Sequence, residues 1–322
     1  MHPLTEKILF YLKSHTNNYV SGEQLSRHFS ISRSAIWKHI QELRQLGYEV
    51  IAVPHLGYQL GGIPDRLFPY EIAYRLPTKF IGKEIYYFDN ISSTMDIAHS
   101  LAKQGVSEGT VVIAESQTKA RGRFQRSWLC YKYKGIYFSL ILKPKIHPKS
   151  SAIFTFLSAV AVSEAINNSI GITVEVKWPN DIILDGKKLA GILTESESET
   201  ELMHYIIIGI GINVNNNPQQ LIDTAVSLRQ YKKESINRIE LMRQILIELE
   251  KYYLLFKKNG SSFIIDRWRS FSGTLGRIVK IIQDNKTTVG MAVDVDDDGN
   301  LLLRKDSGLV EKINTGDLIY CR

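Results

Sequence analysis

The residues best equipped for chemistry lie between Ser116 and Ser163. That stretch has no Asp or Glu and nine basic residues: Lys119, Arg121, Arg123, Arg126, Lys132, Lys134, Lys143, Lys145 and Lys149. Its centre reads Gln117-Thr-Lys-Ala-Arg-Gly-Arg-Phe-Gln-Arg-Ser-Trp128. A glycine between two arginines makes a segment pliant enough to wrap a ligand, and guanidinium forks suit phosphate and carboxylate. A basic surface loop would have the same composition. Downstream, Lys177-Trp178-Pro179-Asn180-Asp181 joins strand-like Ile172–Val176 to Ile182–Leu184. Asn180 and Asp181 there could orient a polar ligand with Trp178 as a wall, or the segment could be a plain bend. Lys187 and Lys188 follow an Asp185-Gly186 hairpin turn, a common place for solvated lysines. Ile206–Val214 lacks the third glycine of a dinucleotide fingerprint and runs into Asn-rich sequence rather than a helix. It reads as a core strand whose two glycines let something approach the backbone.

Those residues need a scaffold. At roughly 100–200 residues per domain, 322 residues make two or three domains. A chain that is 44% hydrophobic and 23% charged is neither disordered nor collagen-like. The apolar runs Ala152–Val162 and Ile206–Ile212 fall short of the ~20 residues that span a bilayer. The N-terminus opens into a helical pattern with no apolar signal core, which predicts a cytoplasmic protein without membrane attachment. Cys130 and Cys321 suggest neither a disulfide framework nor a zinc site. The net charge of +7 points to a polyanionic partner. The acid-free stretch accounts for nine of the cations, leaving 31 Lys and Arg against 33 Asp and Glu elsewhere. The surplus therefore belongs to that stretch.

Three blocks follow from the patterning: 1–64, 65–270 and 271–322. In the first, Leu4, Ile8, Leu9 and Leu12 recur at helical spacing. Ser21 and Gln24 have the form of a capping box. A longer helix starts at Ser32 or Arg33, turns Ile36, Ile40, Leu43 and Leu46 inward, and stops at Gly47. Two helices joined this tightly predict a helix-turn-helix, and Val50–Val53 with Tyr58–Leu60 predict its wing. Arg33, Ser34, Trp37 and Lys38 are then the exposed groups for a DNA groove, with Ser21, Gln24 and Ser32 at the helix starts. A packing or dimerisation module is the alternative. Gly61–Asp65 reads as a linker. The second block alternates strand and helix patterns, as in a mixed α/β layer fold. The third holds strand-like Arg277–Gln283, Val289–Val295 and Leu301–Arg304, which predict a small barrel.

Together these pieces resemble the bifunctional biotin–protein ligase/biotin-operon repressor family along the whole chain. The family's Gly-Arg-Gly-Arg-x-x-Arg-x-Trp loop is matched by Ala120–Trp128. Lys177–Asp181, Ser93-Thr94 and Gly209-Ile-Gly-Ile-Asn213 match its other motifs. The resemblance implies an α+β multidomain chain: a winged helix-turn-helix, a mixed α/β ligase domain of the biotin/lipoate ligase type, then a small SH3-like β-barrel. It implies that ATP, with Mg²⁺, and biotin give biotinyl-5′-AMP, and that biotin then passes to a lysine of a carboxyl-carrier domain. Joining two anions calls for positioning and charge neutralisation rather than a Ser or Cys nucleophile. By the same resemblance, Ser93, Thr94, Met95 and Gln117 hold biotin, and Arg121, Gly122 and Arg123 close over its carboxylate and the phosphate. Trp128, Asn180 and Asp181 serve the nucleotide. Lys188 bridges the acyl carbonyl and phosphate, and with Arg121 and Arg123 forms the catalytic set. Other roles stay open: Ser93 as an N-cap, Asp181 as a lysine's partner, Trp128 as core. Two positions depart from the family. Ala120 replaces the loop's first glycine, at a cost of roughly 1 kcal/mol if φ is positive there. Met95 stands where Asn is usual. The C-terminal basic group of relatives could be Arg322. Partners implied are the carrier domain, operator DNA and a second copy of the chain. The alternatives are a ligase that no longer binds operator, a biotin sensor without enzyme activity, and a lipoate ligase.

Overall fold

A computed structural model describes residues 1–199, 202–283 and 286–321; Arg322 lies outside them. The chain divides into two compact units, Met1–Arg66 and Leu67–Arg322.

In the first unit three helices, α1 (Pro3–Ser14), α2 (Gly22–Phe29) and α3 (Arg33–Gln45), precede the antiparallel pair β1 (Glu49–Val53) and β2 (Gly57–Gly62). Ile8, Leu9, Leu12, Leu25, Ile36, Ile40 and Leu43 fill the core. Ser21 Oγ caps α2 by accepting from the Gln24 amide at 3.0 Å. The Gln24 side chain donates instead to Tyr11 Oη at 3.1 Å, because α1 offers a hydroxyl within reach; only one arm of the expected box forms. Ser32 Oγ caps α3 at the Ala35 amide. Gly47, at φ 96, ends α3 with its amide on Arg44 O and the Tyr48 amide on Leu43 O, a Schellman closure. Gly61 and Gly62 belong to β2, so the linker is shorter than the sequence predicts.

The second unit opens with α4 (Pro69–Ala73), β3 (Ile85–Phe88), α5 (Thr94–Lys103), β4 (Val111–Ala114) and β5 (Gly135–Leu142). Helix α6 (Ala152–Ile170) then leads to β6 (Glu175–Lys177), β7 (Asp181–Leu184), β8 (Lys187–Glu199) and β9 (Leu202–Asn213). The strands form one sheet in the order β3-β4-β5-β9-β8-β7-β6, antiparallel except for the β3–β4 pair. Side-chain alternation divides its faces. Ile206, Ile208, Ile210 and Ile212 pack into the large core with α6. Tyr205 and Ile207 pack with Met95, Ala98 and Ala102 of α5 on the other face. Gly209 and Gly211 fall on that second face.

Helix α6 is longer than the apolar run suggests. Its 19 residues pass a length-and-hydropathy test for crossing a membrane, yet 72% of the apolar window is buried within the fold. It packs against α8 (Arg238–Asn259) and α9 (Ser262–Phe271), which follow the short α7 (Leu228–Lys232). The C-terminal strands are β10 (Ile278–Gln283), β11 (Lys286–Val295), β12 (Leu301–Arg304), β13 (Val310–Ile313) and β14 (Asp317–Tyr320), ordered β13-β12-β11-β10-β14. Sequence patterning missed β13 and β14. Val279, Ile281, Leu301 and Leu303 join the same core as the large sheet.

Candidate active site

A cavity of about 730 Å³ opens on the α5 face of the large sheet. Gly191 and Gly211 are cross-strand partners on β8 and β9. Trp128 lies in the hollow they leave. A Cβ on Gly211 would sit 2.8 Å from the indole, and one on Gly191 3.1 Å. A Cβ on Gly209 would meet Met95 Sδ at 2.7 Å. The glycines read from sequence as sites of close approach therefore admit these two side chains. Trp128 walls the cavity, and its buried indole Nε1 has no hydrogen-bond partner. Trp178 is 1% exposed; it donates its indole N–H to Gly299 O at 3.1 Å and its amide to Thr274 Oγ1. It lines the cavity and also ties the C-terminal strands to the large sheet, a second role that the motif did not signal.

One end of the cavity is apolar and neutral. Gln117 Oε1 accepts from the Thr94 amide at 2.7 Å and from Thr94 Oγ1 at 3.1 Å. Gln117 thus serves the start of α5, where Ser93 occupies the N-cap position without a cap hydrogen bond. Ser93 is buried beside the cavity. Ser139 Oγ donates to Thr94 Oγ1 at 2.9 Å, a support that no motif signalled. Gln117 Nε2 faces Cys130 Sγ at 3.5 Å. Burial pushes the Cys130 thiol up to about 12, which disarms it as a nucleophile.

The other end is cationic. Lys188 Nζ lies 2.6 Å from Asp181 Oδ1 and 5.6 Å from the Trp128 ring centre. Asp181 is thus a lysine's partner. Arg123 donates to Thr315 Oγ1 at 2.6 Å, Gly316 O at 3.3 Å and Asn180 Oδ1 at 3.4 Å. Burial lowers its pKa, as it does that of Lys177, which sits over the Tyr320 ring. Arg126 makes a two-pronged pair with Asp317. Lys177, Arg126, Thr315 and Asp317 were not among the sequence candidates. Arg126 and Lys177 lay in plain view inside the quoted motifs. Thr315 and Asp317 had no local signal, since their partners are 192 and 191 residues away.

Arg121 also borders the cavity, but its guanidinium meets Asp96 at 2.6 Å and Glu195 at 3.3 Å. The loop that carries these arginines is a small hairpin: the Gly122 amide bonds Arg126 O, and the Trp128 amide bonds Ala120 O. Its tip, Phe124 and Gln125, adopts left-handed backbone at φ 54 and 57. That conformation costs roughly 1 kcal/mol per residue, and Phe124 is held under Arg123 and Arg126. Ala120 is not among the positive-φ residues, so the penalty expected of it does not arise. Gly122 has φ −104.

In the first unit Arg33, Ser34, Trp37 and Lys38 are exposed on α3. Trp37 is 52% exposed, a large aromatic on the face a groove would meet.

Three family models match. An HTH domain covers residues 5–59, the biotin/lipoate A/B protein ligase family covers 87–213, and the biotin protein ligase C terminal domain covers 274–319. The chain is 41% identical over 306 residues to the bifunctional ligase/repressor BirA of Bacillus subtilis (strain 168), spanning 94% of each. The chain belongs to the bifunctional biotin ligase/repressor family. Another member, BirA of Escherichia coli (strain K12), is 30% identical over 301 residues, 92% of each chain. Among solved structures, a biotin protein ligase from Aquifex aeolicus in complex with biotin and ATP superposes with a TM-score of 0.64. It is 28% identical and covers 74% of this chain and 99% of that one. Its coverage fits a ligase/repressor chain in which a ligase of that kind carries an additional helix-turn-helix. The expected fold class, with its helix-turn-helix, ligase domain and β-rich C-terminal part, is borne out.

Proposed function

We propose that this chain joins biotin to a lysine of a carboxyl-carrier domain in two steps and represses transcription through its N-terminal unit. In the first step a biotin carboxylate oxygen attacks the α-phosphorus of ATP. The bond from that phosphorus to the bridging oxygen breaks, and pyrophosphate leaves. In the second the acceptor ε-amine attacks the acyl carbon, AMP leaves, and the amine proton is lost to solvent. The observation that carries the reading is one cavity with a neutral, apolar end at Thr94, Met95 and Gln117 and a cationic end at Arg123, Lys177 and Lys188. An apolar bicycle with an acid tail fits the first, and a polyphosphate fits the second.

The chemistry needs little besides placement and charge. Lys188 is held by Asp181 within the cationic end, where it can neutralise acyl oxygen and phosphate as they react. Arg123 has neutral hydrogen-bond acceptors, with Asp317 and Asp181 acting on it only through space, and so has no carboxylate to release before it meets an anion. Trp128 lines the cavity beside Lys188 and offers an aromatic wall to the nucleotide. Mg²⁺ habitually binds through phosphates and one or two carboxylates. The oxygens here that fit such an ion are those of Asp181 and Asn180, and the ion would offset phosphate charge. Among the described residues no group of three or more His, Cys, Asp or Glu could hold a resident metal.

For the N-terminal unit, the reading places α3 in the major groove of an operator, with Arg33, Ser34, Trp37 and Lys38 as contacts. Such contacts come in pairs when two copies of the chain bind a two-fold site in the cytoplasm. Incubation with ATP, labelled biotin and a carrier domain tests the ligase. Label should appear on the acceptor lysine, and Lys188→Ala and Arg123→Ala should each slow adenylate formation by about 10²-fold or more. Full activity in Lys188→Ala would contradict the assignment.

A further inference from the structure

We propose that Arg121 is a positioning residue: it straps the basic loop to α5 and β8 through Asp96 and Glu195, and leaves the anionic ligand to Arg123. The inference rests on the ligase reading and changes the role of one residue within it.

The two arginines differ in their partners. Arg123 donates only to neutral oxygens, those of Thr315, Gly316 and Asn180. Arg121 donates Nη1 to Asp96 Oδ1 at 2.6 Å, Nη2 to Glu195 Oε2 at 3.3 Å and Nε toward Glu195 Oε1 at 3.4 Å. Two carboxylates already neutralise its single charge. A phosphate or carboxylate ligand that took this guanidinium would strand both. Glu195 is itself fixed from the other side by His99 Nε2 at 2.8 Å. Asp96 and His99 lie three residues apart on α5, so one helix face presents both. Further along the same seam Lys103 meets Glu197 at 3.5 Å. Ion pairs thus line the contact between α5 and β8, and Arg121 brings the loop into it. Both strapped elements border the cavity, α5 through Thr94 and Met95, β8 through Gly191 and Leu193. A loop so held covers the reacting centre in a fixed place, which retains a labile acyl-phosphate.

The test compares Arg121→Ala, Asp96→Asn with Glu195→Gln, the triple variant, and Arg121→Lys. Two readouts are taken on the full chain. The first is the rate of tryptic cleavage within the ligand-free loop, which needs no enzyme activity and tracks local opening. The second is adenylate synthesis and release. A strap predicts that removing the two carboxylates speeds cleavage at Arg123 and Arg126 about tenfold, as a loss of local closure does. It predicts a KM for biotin and an adenylate release rate each raised about tenfold, with kcat held within about threefold. The triple variant should match Arg121→Ala, since all three changes remove one interaction, and Arg121→Lys should recover part of the loss. Carboxylate removal that leaves cleavage and KM unchanged while Arg121→Ala loses kcat would overturn the proposal. So would a triple variant whose losses multiply. A global loss of fold would appear as a lower thermal midpoint with cleavage throughout the chain, and also counts against a local strap. If the parent chain makes no adenylate, the ligase reading fails, whereas the cleavage comparison still decides whether the strap exists.

Discussion

Gly211 and Gly209 face the same side of β9, but what they admit differs in stiffness. Beside Gly211 stands the rigid indole of Trp128; beside Gly209 stands the flexible end of Met95. Gly211→Ala should therefore displace Trp128 and raise the KM for ATP about tenfold, an effect of the size a small misplacement in a site produces. Gly209→Ala should cost less, as Met95 adjusts. Steady-state adenylation of the two variants checks the order. Asp317 provides a pH handle. The hydrogen bond from Arg126 holds its carboxyl below the ordinary value. Its contribution to stability is then complete above the unfolded value of about 3.9 and is lost as pH falls through the lower folded value. Thermal melts in acid should show the parent chain losing part of its advantage over Asp317→Asn across that window, and keeping it at neutral pH. Residue identities made much of this end of the site legible from sequence: Lys188, Arg123 and Asp181 converge as their motifs suggest. Pairings were not legible. The carboxylates on Arg121 lie 25 and 74 residues away in sequence, and only the folded sheet brings them together.

Elements were legible where a local signal set them. Ser21 and Ser32 start helices and Gly47 stops one, because caps act within a few residues. Strands β13 and β14 escaped because each is four residues long with a single buried residue, and their partners are supplied by β12 and β10. The anchoring of β4 and β5 was equally hidden. Glu115 and Arg238 are both fully buried, 2.8 Å apart, and Arg238 also donates to Gly135 O at the start of β5. Glu115 Oε1 accepts the Leu67 amide at 2.7 Å. This pair clamps both strands that flank the basic loop to the head of α8. Removing one partner leaves a buried charge alone, so Arg238→Met should destabilise by about 3–5 kcal/mol. Glu115→Gln added to it should recover much of the loss, since the lone charge goes while an acceptor for Leu67 remains. Denaturant midpoints of the single and double variants measure both changes.

At the scale of the whole molecule the charge surplus sits in the acid-free stretch Ser116–Ser163, and the helix-turn-helix unit carries no strong net charge. The proposed pairing of two copies would double the phosphate contacts of a near-neutral unit. Gel-shift titration should therefore show operator binding that tightens when biotin and ATP are both present, and loosens when carrier domain consumes the adenylate. Binding indifferent to both would separate repression from adenylation and leave the ligase. The proposed reaction begins when this cavity activates a biotin carboxylate on ATP. Exchange of labelled pyrophosphate into ATP measures that step directly, because adenylation runs backwards on the same site. Exchange should require biotin, be absent with lipoate, and be lost in Lys188→Ala. A folded parent chain that exchanges nothing with biotin, or exchanges equally well with lipoate, would contradict it.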